Sequence, residues 1–408
     1  MTYINFILAL TILIIGLLVG ITIVKFLTVH QIKIRIYSLL LFFELVIFIS
    51  LAYAYRDALG IIILIFLPAI IAGYNLMTYK VLSTKDKRYV PELTRKKGDF
   101  GKGHTAVIYF THGEPEDYNP IGWINQFREF DEQKIKFIPF LVRPIFLYML
   151  RKKYIHVGFS KHKKMHEKMM KSLEERFKKE GDLSTKFYLS FLEDEPRPDA
   201  VAITALNEEA SRIIVSEVFL TISNHTAEGK ELIEKINFDD YGVSIFYTGP
   251  LWDSKTLQTM FVERVNKNLG KVDKKKVGVL LVGHGQPKEW DMEWPTETEH
   301  EIKFRKDVLE LFVKDGYDRN NLDLAWMEFR EPCTTEAIQK LILNGVEKIF
   351  YFSAAISADS IHSMCDLPEL VSKCEVPNCI EVINLGAWNA DPIVIDAIKE
   401  KIDRIRFA

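Results

Sequence analysis

Val277-Gly-Val-Leu-Leu-Val-Gly-His284-Gly-Gln-Pro287 reads as an apolar strand that ends in a tight turn carrying an imidazole. The same arrangement stands 172 residues earlier, in Thr105-Ala-Val-Ile-Tyr-Phe-Thr-His112-Gly-Glu-Pro115. A second motif follows each one in the same order. His225 precedes Gly249-Pro-Leu-Trp252 and His362 precedes Gly386-Ala-Trp388, with 24 residues from His to Gly in both. Two motifs repeated in one order predict two similar half-domains, 105–270 and 275–408, facing each other across a cleft that holds the site.

Outward from these motifs, apolar β-type runs alternate with amphipathic helical runs, the pattern of parallel sheets flanked by helices, so the fold class of this part is α/β. Strands are expected at 106–110, 137–140, 186–191, 212–220, 244–247, 277–282, 322–327, 348–352 and 380–384. A helix at 166–180 places Met169, Met170, Leu173 and Phe177 on one stripe.

Residues 1–79 differ in kind. They carry four basic and two acidic residues, against 49 and 53 in 80–408. Uncharged runs of 21 residues (4–24) and 22 residues (58–79) flank a run of 20 (36–55) broken only by Glu44. About 20 helical residues cross a hydrocarbon core, so three transmembrane helices are expected to anchor the chain in a lipid bilayer. A cleaved signal peptide fits poorly, because no basic segment precedes the first run and two more runs follow. Lys25, His30, Lys33 and Arg35 lie between the first two runs, and Lys80, Lys85, Lys87, Arg88, Arg95, Lys96 and Lys97 follow the third. Both segments belong inside, which puts the N-terminus outside and the whole region after residue 80 on the cytosolic or equivalent inner face. Residues 80–104 read as a basic linker. Glu44 is expected to be protonated and bonded to Ser38, Ser50 or a neighbouring helix.

The whole chain has a formal net charge of −2, and no basic block dominates it, which argues against nucleic acid as a partner. Cys333, Cys365, Cys374 and Cys379 are spaced by 32, 9 and 5 residues, which matches no iron–sulfur pattern, so no permanent cofactor is expected.

His284 sits where a strand emerges from the carboxyl edge of its sheet, the edge at which open α/β sheets bind ligands. Gly283 and Gly285 permit the turn, and a neutral imidazole there can ligate a metal or take a proton. The alternative is a histidine that merely caps the turn through the backbone. His362, Asp366 and Glu369 share a face of a helix expected at 361–372, a stripe able to pass a divalent cation inward or simply a solvated surface. Glu328 and Glu331 follow a strand directly. Glu328 is the better candidate for a base, since Glu331 fits a cap or a pair with Arg330.

These residues carry a resemblance. The chain from 105 to 408 resembles the ferrochelatase-type (class II) tetrapyrrole chelatases, whose superfamily includes the sirohydrochlorin cobalt and nickel chelatases. The first half resembles it in Ile138-Pro-Phe-Leu-Val-Arg143-Pro-Ile and Tyr154-Ile-His-Val-Gly158. The second half does so in Val282-Gly-His284-Gly-Gln-Pro287, Glu331-Pro-Cys-Thr-Thr-Glu-Ala-Ile338, Ile356-Ser-Ala-Asp359-Ser-Ile-His362-Ser-Met-Cys-Asp366 and Gly386-Ala-Trp388-Asn-Ala-Asp-Pro392. The resemblance implies a lyase that inserts a divalent metal into a tetrapyrrole, with metal and macrocycle both as substrates. His284, His362 and Glu328 would be catalytic, and His284, His362 and Asp366 would handle the metal. His112, Phe140, Ile145, Phe146 and Met149 would touch the macrocycle, the last four as an apolar lip or else as half-domain core.

Two positions depart from the ferrochelatase pattern: His362 stands where a glutamate is usual, as in the cobalt and nickel chelatases, and His112 is an addition. A membrane anchor fits an apolar porphyrin, so Fe2+ insertion into protoporphyrin in heme biosynthesis is the expected reaction. The alternatives are cobalt or nickel insertion into sirohydrochlorin, and a non-catalytic tetrapyrrole-binding protein.

Overall fold

The computed structural model describes residues 6–132, 134–135 and 138–408, which fall into two compact units. One comprises the residues up to Lys87 together with Asp117–Phe159, and the other comprises Arg88–Glu116 with Ser160–Ala408.

The first unit is helical. Helices α1 (Phe6–Thr28), α2 (Ile34–Ala54) and α3 (Leu59–Leu82) are each long and apolar enough to cross a membrane, and residues 4 and 5 of the first expected run lie outside the described residues. α1 and α3 meet backbone to backbone. A Cβ on Gly20 would lie 2.2 Å from Ile70 O, and one on Gly73 2.2 Å from Leu17 O, so only glycine admits this approach. Glu44 Oε1 accepts a hydrogen bond from Thr22 Oγ1 at 2.8 Å, which joins α2 to α1. Ser38 and Ser50 instead bond the carbonyls of Ile34 and Val46 on their own helix. α4 (Ile121–Glu132) and α5 (Arg143–Val157) complete this unit.

The second unit carries two four-stranded parallel sheets of identical topology. Its strands are β1 (His104–Thr111), β2 (Thr185–Phe191), β3 (Ala210–Glu217), β4 (Ser244–Tyr247), β5 (Val277–Gly283), β6 (Leu322–Trp326), β7 (Lys348–Ser353) and β8 (Glu381–Asn384). The orders are β2-β1-β3-β4 and β6-β5-β7-β8, so the repeated motifs correspond to a repeated fold. Helices α6 (His162–Lys179), α7 (Pro198–Asn207), α8 (Asn224–Glu234), α9 (Lys255–Asn268), α10 (Lys288–Glu293), α11 (Pro295–Lys314), α12 (Thr334–Leu343), α13 (Leu367–Ser372) and α14 (Pro392–Arg406) flank the sheets.

Strand side chains alternate between two layers, as the period of two requires. Val107 and Tyr109 of β1, Ile214 of β3, Val277, Val279 and Leu281 of β5, and Phe350 and Phe352 of β7 share one core with α6, α9, α11 and α14. The opposite faces pack outward, with Ala106, Ile108 and Phe110 in one cluster and Leu280, Val282, Ile349 and Tyr351 in another. Arg264 of α9 fastens the segment after β8, donating to Leu385 O, Ala387 O and Trp388 O. Trp388 is fully buried and donates Nε1–H to Ala354 O at 2.8 Å.

Eight of the nine expected strands form. The ninth, at 137–140, does not: residue 137 lies outside the described residues, and Phe140–Val142 is a 3-10 turn. Pro139 lacks a ladder donor and Pro144 stands in the first turn of α5, so this stretch has no strand to offer. Residues 88–103 are fastened down, for Arg95 is buried and donates to Ala210 O, Asp99 O and Tyr241 O.

Candidate active site

In each sheet the chain leaves the first central strand in one direction and the second in the other. The crevice beyond strands β1 and β3, and its counterpart beyond β5 and β7, is therefore a topological switch point. One histidine follows each of these four strands. His112 follows β1 and His225 opens α8 after β3; His284 follows β5 and His362 lies beyond β7. The rings pair within each half, His112 with His225 at 4.6 Å between centroids and His284 with His362 at 5.0 Å, edge to face in both.

The two strand-end histidines are held alike. His112 Nδ1–H donates to Gly113 O and His284 Nδ1–H to Gly285 O, each at 2.7 Å. A carbonyl oxygen only accepts, so the proton sits on Nδ1, and each Nε2 keeps its lone pair for a proton or a metal. Backbone capping and ligation are thus compatible, since they use different nitrogens. The turns need glycine: Gly113 and Gly285 have φ of +83° and +84°, and a Cβ on Gly285 would lie 2.1 Å from Glu328 O.

The loops after β2 and β6 close onto these turns in parallel fashion. Glu193 N–H donates to His112 O at 2.7 Å, and Glu328 N–H to His284 O at 3.1 Å. Glu328 is exposed, and its charge acts on both His284 and His362. Glu331 instead caps α12, accepting from Cys333 N–H at 2.8 Å, while Arg330 pairs with Asp291.

His362 opens a single π turn, His362–Asp366, that runs on into α13. Its Nδ1–H donates to Asp366 Oδ2 at 2.8 Å, which fixes the ring and leaves Nε2 as its other site for a proton or a metal. Of the two readings of this stripe, Glu369 follows the solvated one. The i→i+5 turn takes an extra residue and rotates Glu369 away, where it pairs with Lys373 at 3.2 Å on the surface.

Electrostatics separate the histidines. Burial pushes His112 down to about 4, with the charges of His362 and His284 acting the same way. Burial, reinforced by His112 and His284, holds His225 well below the ordinary imidazole range. His284 is likewise lowered, by burial first and then by His362. For His362 burial also disfavours the charged form, but the hydrogen bond and charge of Asp366, with Glu114 and Glu328, outweigh it and raise its pKa. The cluster therefore offers three neutral imidazoles and one with a greater proton affinity.

Glu114 binds the two halves together. Its carboxylate accepts from Ser160 Oγ and from Ile361 N–H, at 3.0 Å for Oε2, at the residue before His362. Burial raises its pKa. Behind it, His166 spans the halves through Tyr109 Oη at 2.9 Å, Thr111 Oγ1 at 3.3 Å and Ser357 Oγ at 3.2 Å.

The structure thus brings together His112, His284, His362, Asp366 and Glu328. Phe140, Ile145, Phe146 and Met149 belong to the other unit, where Phe146 packs between Trp123 and Phe127. His225, Glu193 and Glu114 were not among the expected site residues. His225 was legible, because it holds in the first repeat the place of His362 in the second.

Comparison with known proteins bears on this site. The family model described as Ferrochelatase matches residues 104–405. The chain belongs to the ferrochelatase family. Among solved structures, SirB from Bacillus subtilis with Fe3+ is similar at 13% identity and a TM-score of 0.46, covering 74% of this chain and 95% of its own. The sirohydrochlorin chelatase SirB from Bacillus subtilis subspecies spizizenii in complex with cobalt is similar at 12% and 0.45, covering 74% and 94%. DR2241 from Deinococcus radiodurans, a multi-domain protein with structural similarity to chelatases, is similar at 12% and 0.46, covering 72% of this chain and 54% of its own. No curated protein sequence matches. This ferrochelatase-family domain is a tetrapyrrole metal chelatase in its general class.

Proposed function

We propose that the protein is a membrane-anchored chelatase that inserts Fe2+ into an apolar porphyrin such as protoporphyrin. The observation that carries this reading is the His284–His362–Asp366 constellation: two imidazoles in contact, each with its Nδ1 proton committed to an oxygen and its Nε2 left available. Insertion requires that two pyrrole N–H protons leave the macrocycle as the metal sheds water and binds the four nitrogens. His284, kept neutral by burial, presents Nε2 as a metal ligand or an acceptor of the first proton. His362, whose proton affinity Asp366 raises, takes a proton from the opposite side, and Glu328 receives it at the exposed rim. Asp366 passes the cation toward His284. His112 and His225 add neutral donors on the first-half side, to hold the metal before transfer.

The helices α1–α3 anchor this domain, with the N-terminus outside and the catalytic unit on the inner face, where an apolar macrocycle is drawn from the membrane. One observation favours a second reading. His362 stands where a glutamate is usual in ferrochelatases, which points to cobalt or nickel and a more carboxylated ring. Single-turnover insertion of Fe2+ and Co2+ into protoporphyrin and sirohydrochlorin, by the wild type and by His362→Glu, separates the two. The iron reading expects wild-type preference for Fe2+ with protoporphyrin, retained in the variant. Preference for Co2+ with sirohydrochlorin, reversed by the substitution, overturns it.

A further inference from the structure

At the C-terminal end of α3 a cavity of about 110 Å3 opens against α4 and α5, all within the helical unit. Tyr79, Leu82 and Ser83 line it from the α3 side, Arg128 and Asp131 from α4, and Arg143 from α5. The two arginines are held differently. Arg143 is buried and fully engaged, donating Nε–H to Ile138 O at 3.1 Å, Nη1–H to Asp131 Oδ2 at 2.7 Å and Nη2–H to Asp131 Oδ1. Arg128 donates Nη2–H to Thr84 O at 3.1 Å and Nη1–H to Asn125 Oδ1 at 3.4 Å, both neutral acceptors, and has no carboxylate partner among the described residues. Two arginines against one carboxylate leave the lining one positive charge to be met by a ligand.

Size and level narrow the choice of ligand. The volume is several times the share of one water, about 30 Å3, and below the roughly 150 Å3 that admits benzene, so the cavity takes a group of about five heavy atoms and no macrocycle. A tetrahedral phosphate is of that size, and a guanidinium fork matches two of its oxygens. Tyr79 is the last uncharged residue of the third apolar run, and Lys80 is the first charge after it. An exposed tyrosine followed by lysines marks the headgroup level of a membrane-crossing helix, which is where lipid phosphates lie. Lys85, Lys87 and Arg88 follow on the same chain, and basic clusters just beyond a span attract anionic lipids over zwitterionic ones.

We infer that this cavity binds the phosphodiester of one anionic phospholipid, taken from the leaflet at that end of α3, with Arg128 as its counter-ion and the Ser83 hydroxyl as a further donor. Arg143, fixed by Asp131, forms the rigid wall behind it. The glycerol and acyl chains leave past Tyr79 toward the bilayer, so the lipid ties the last span to α4 and α5. This rests on the membrane-crossing reading of α1–α3.

The test is native mass spectrometry of full-length protein released from nanodiscs of equal phosphatidylglycerol and phosphatidylcholine, counting the lipids each chain retains. Arg128→Gln removes the counter-ion. Ser83→Phe fills the cavity from an exposed position and leaves every charge in place, and Lys373→Gln on the second unit matches the charge change elsewhere. The expected result is one phosphatidylglycerol retained several-fold over phosphatidylcholine by the wild type and by Lys373→Gln, with that preference lost in both Arg128→Gln and Ser83→Phe. Equal retention of the two lipids by the wild type, or a preference that survives Arg128→Gln, overturns the inference. A preference lost in Arg128→Gln and kept in Ser83→Phe assigns the lipid to surface charge and overturns the cavity as its site. Displacement of the lipid by millimolar inorganic phosphate gives the cavity to soluble phosphate and overturns the lipid. Protein that does not enter nanodiscs at all overturns the spans themselves, a failure distinct from the others.

Discussion

Gly285→Ala tests whether the turn after β5 positions the chemistry. Gly285 has φ +84°, and an alanine Cβ there would stand 2.1 Å from Glu328 O, where contacts under 3.0 Å essentially never occur. The two loops must part by roughly 1 Å, and both are backbone, so no side chain can yield instead. The left-handed conformation costs about 1–2 kcal/mol for alanine. Loss of the Glu328 N–H to His284 O hydrogen bond adds about 1 kcal/mol, for a total near 2–3 kcal/mol. If His284 acts in insertion as proposed, the effect on rate is larger, because a 1 Å misplacement of a catalytic group costs about 100-fold. Gly345→Ala is the control: its φ is +76° with nothing within 4 Å of the new Cβ, so it has the backbone strain without the collision. Urea midpoints and metal insertion followed by the Soret band should therefore separate the variants. Gly345→Ala should lose about 1–2 kcal/mol and no activity, and Gly285→Ala both. A Gly285→Ala enzyme within about threefold of the wild-type rate, or an equally damaged Gly345→Ala enzyme, would refute the reasoning.

Three more expectations concern charge. His166 is pushed down to about 3 by burial, with His112 adding to it, while an unfolded histidine titrates near 6.5. The unfolded chain thus takes up the proton first. Stability should fall by up to about 1.4 kcal/mol per pH unit from this group as pH drops from 6.5 toward 3. Urea midpoints of His166→Phe in detergent should show a shallower acid limb, and an unchanged limb would count against the assignment. Arg305→Met removes the sole salt-bridge partner of Glu301 among the described residues and should cost about 3–5 kcal/mol in thermal or urea unfolding, partly restored by adding Glu301→Gln. A loss below about 1 kcal/mol would mean that Glu301 is neutral at no cost. Asp366→Asn should slow insertion about 10- to 100-fold and move the acid limb of the rate–pH profile downward, because His362 loses the charge that raises its pKa. An unmoved limb would detach His362 from the proton step.

Much of the catalytic unit was legible because its signals are local. A run such as Val277–Gly283 is buried on both faces, so it reads as continuous apolar sequence, and the His-Gly turn must follow at the switch point. The repeat doubled that signal and made His225 readable by position. Glu193 and Glu114 were not legible, for each reaches the site through a backbone hydrogen bond across loops distant in sequence. Glu369 lies on the solvated surface that the sequence also allowed, although nothing in His362-Ser-Met-Cys-Asp366 announces the π turn before it. Contacts divide 117–159 differently from the sequence motifs. The sequence of this stretch follows the family pattern inside the first half, yet the segment packs with the N-terminal helices. The break in composition near residue 79 hides this, because α5 keeps its arginines on the inside and its average composition looks like that of any soluble helix.

The most direct measurement is insertion of Fe2+ into protoporphyrin under anaerobic conditions by full-length protein in nanodiscs, alongside His284→Ala, with macrocycle affinity measured on both by fluorescence quenching. The account predicts protein-dependent insertion that His284→Ala abolishes, with affinity for the macrocycle changed by less than about threefold, because the imidazole acts on the metal and the pyrrole protons and contributes little to holding the ring. No insertion with Fe2+, Co2+, Ni2+ or Zn2+ into either protoporphyrin or sirohydrochlorin, while both proteins bind macrocycle equally, would contradict it and leave a tetrapyrrole carrier.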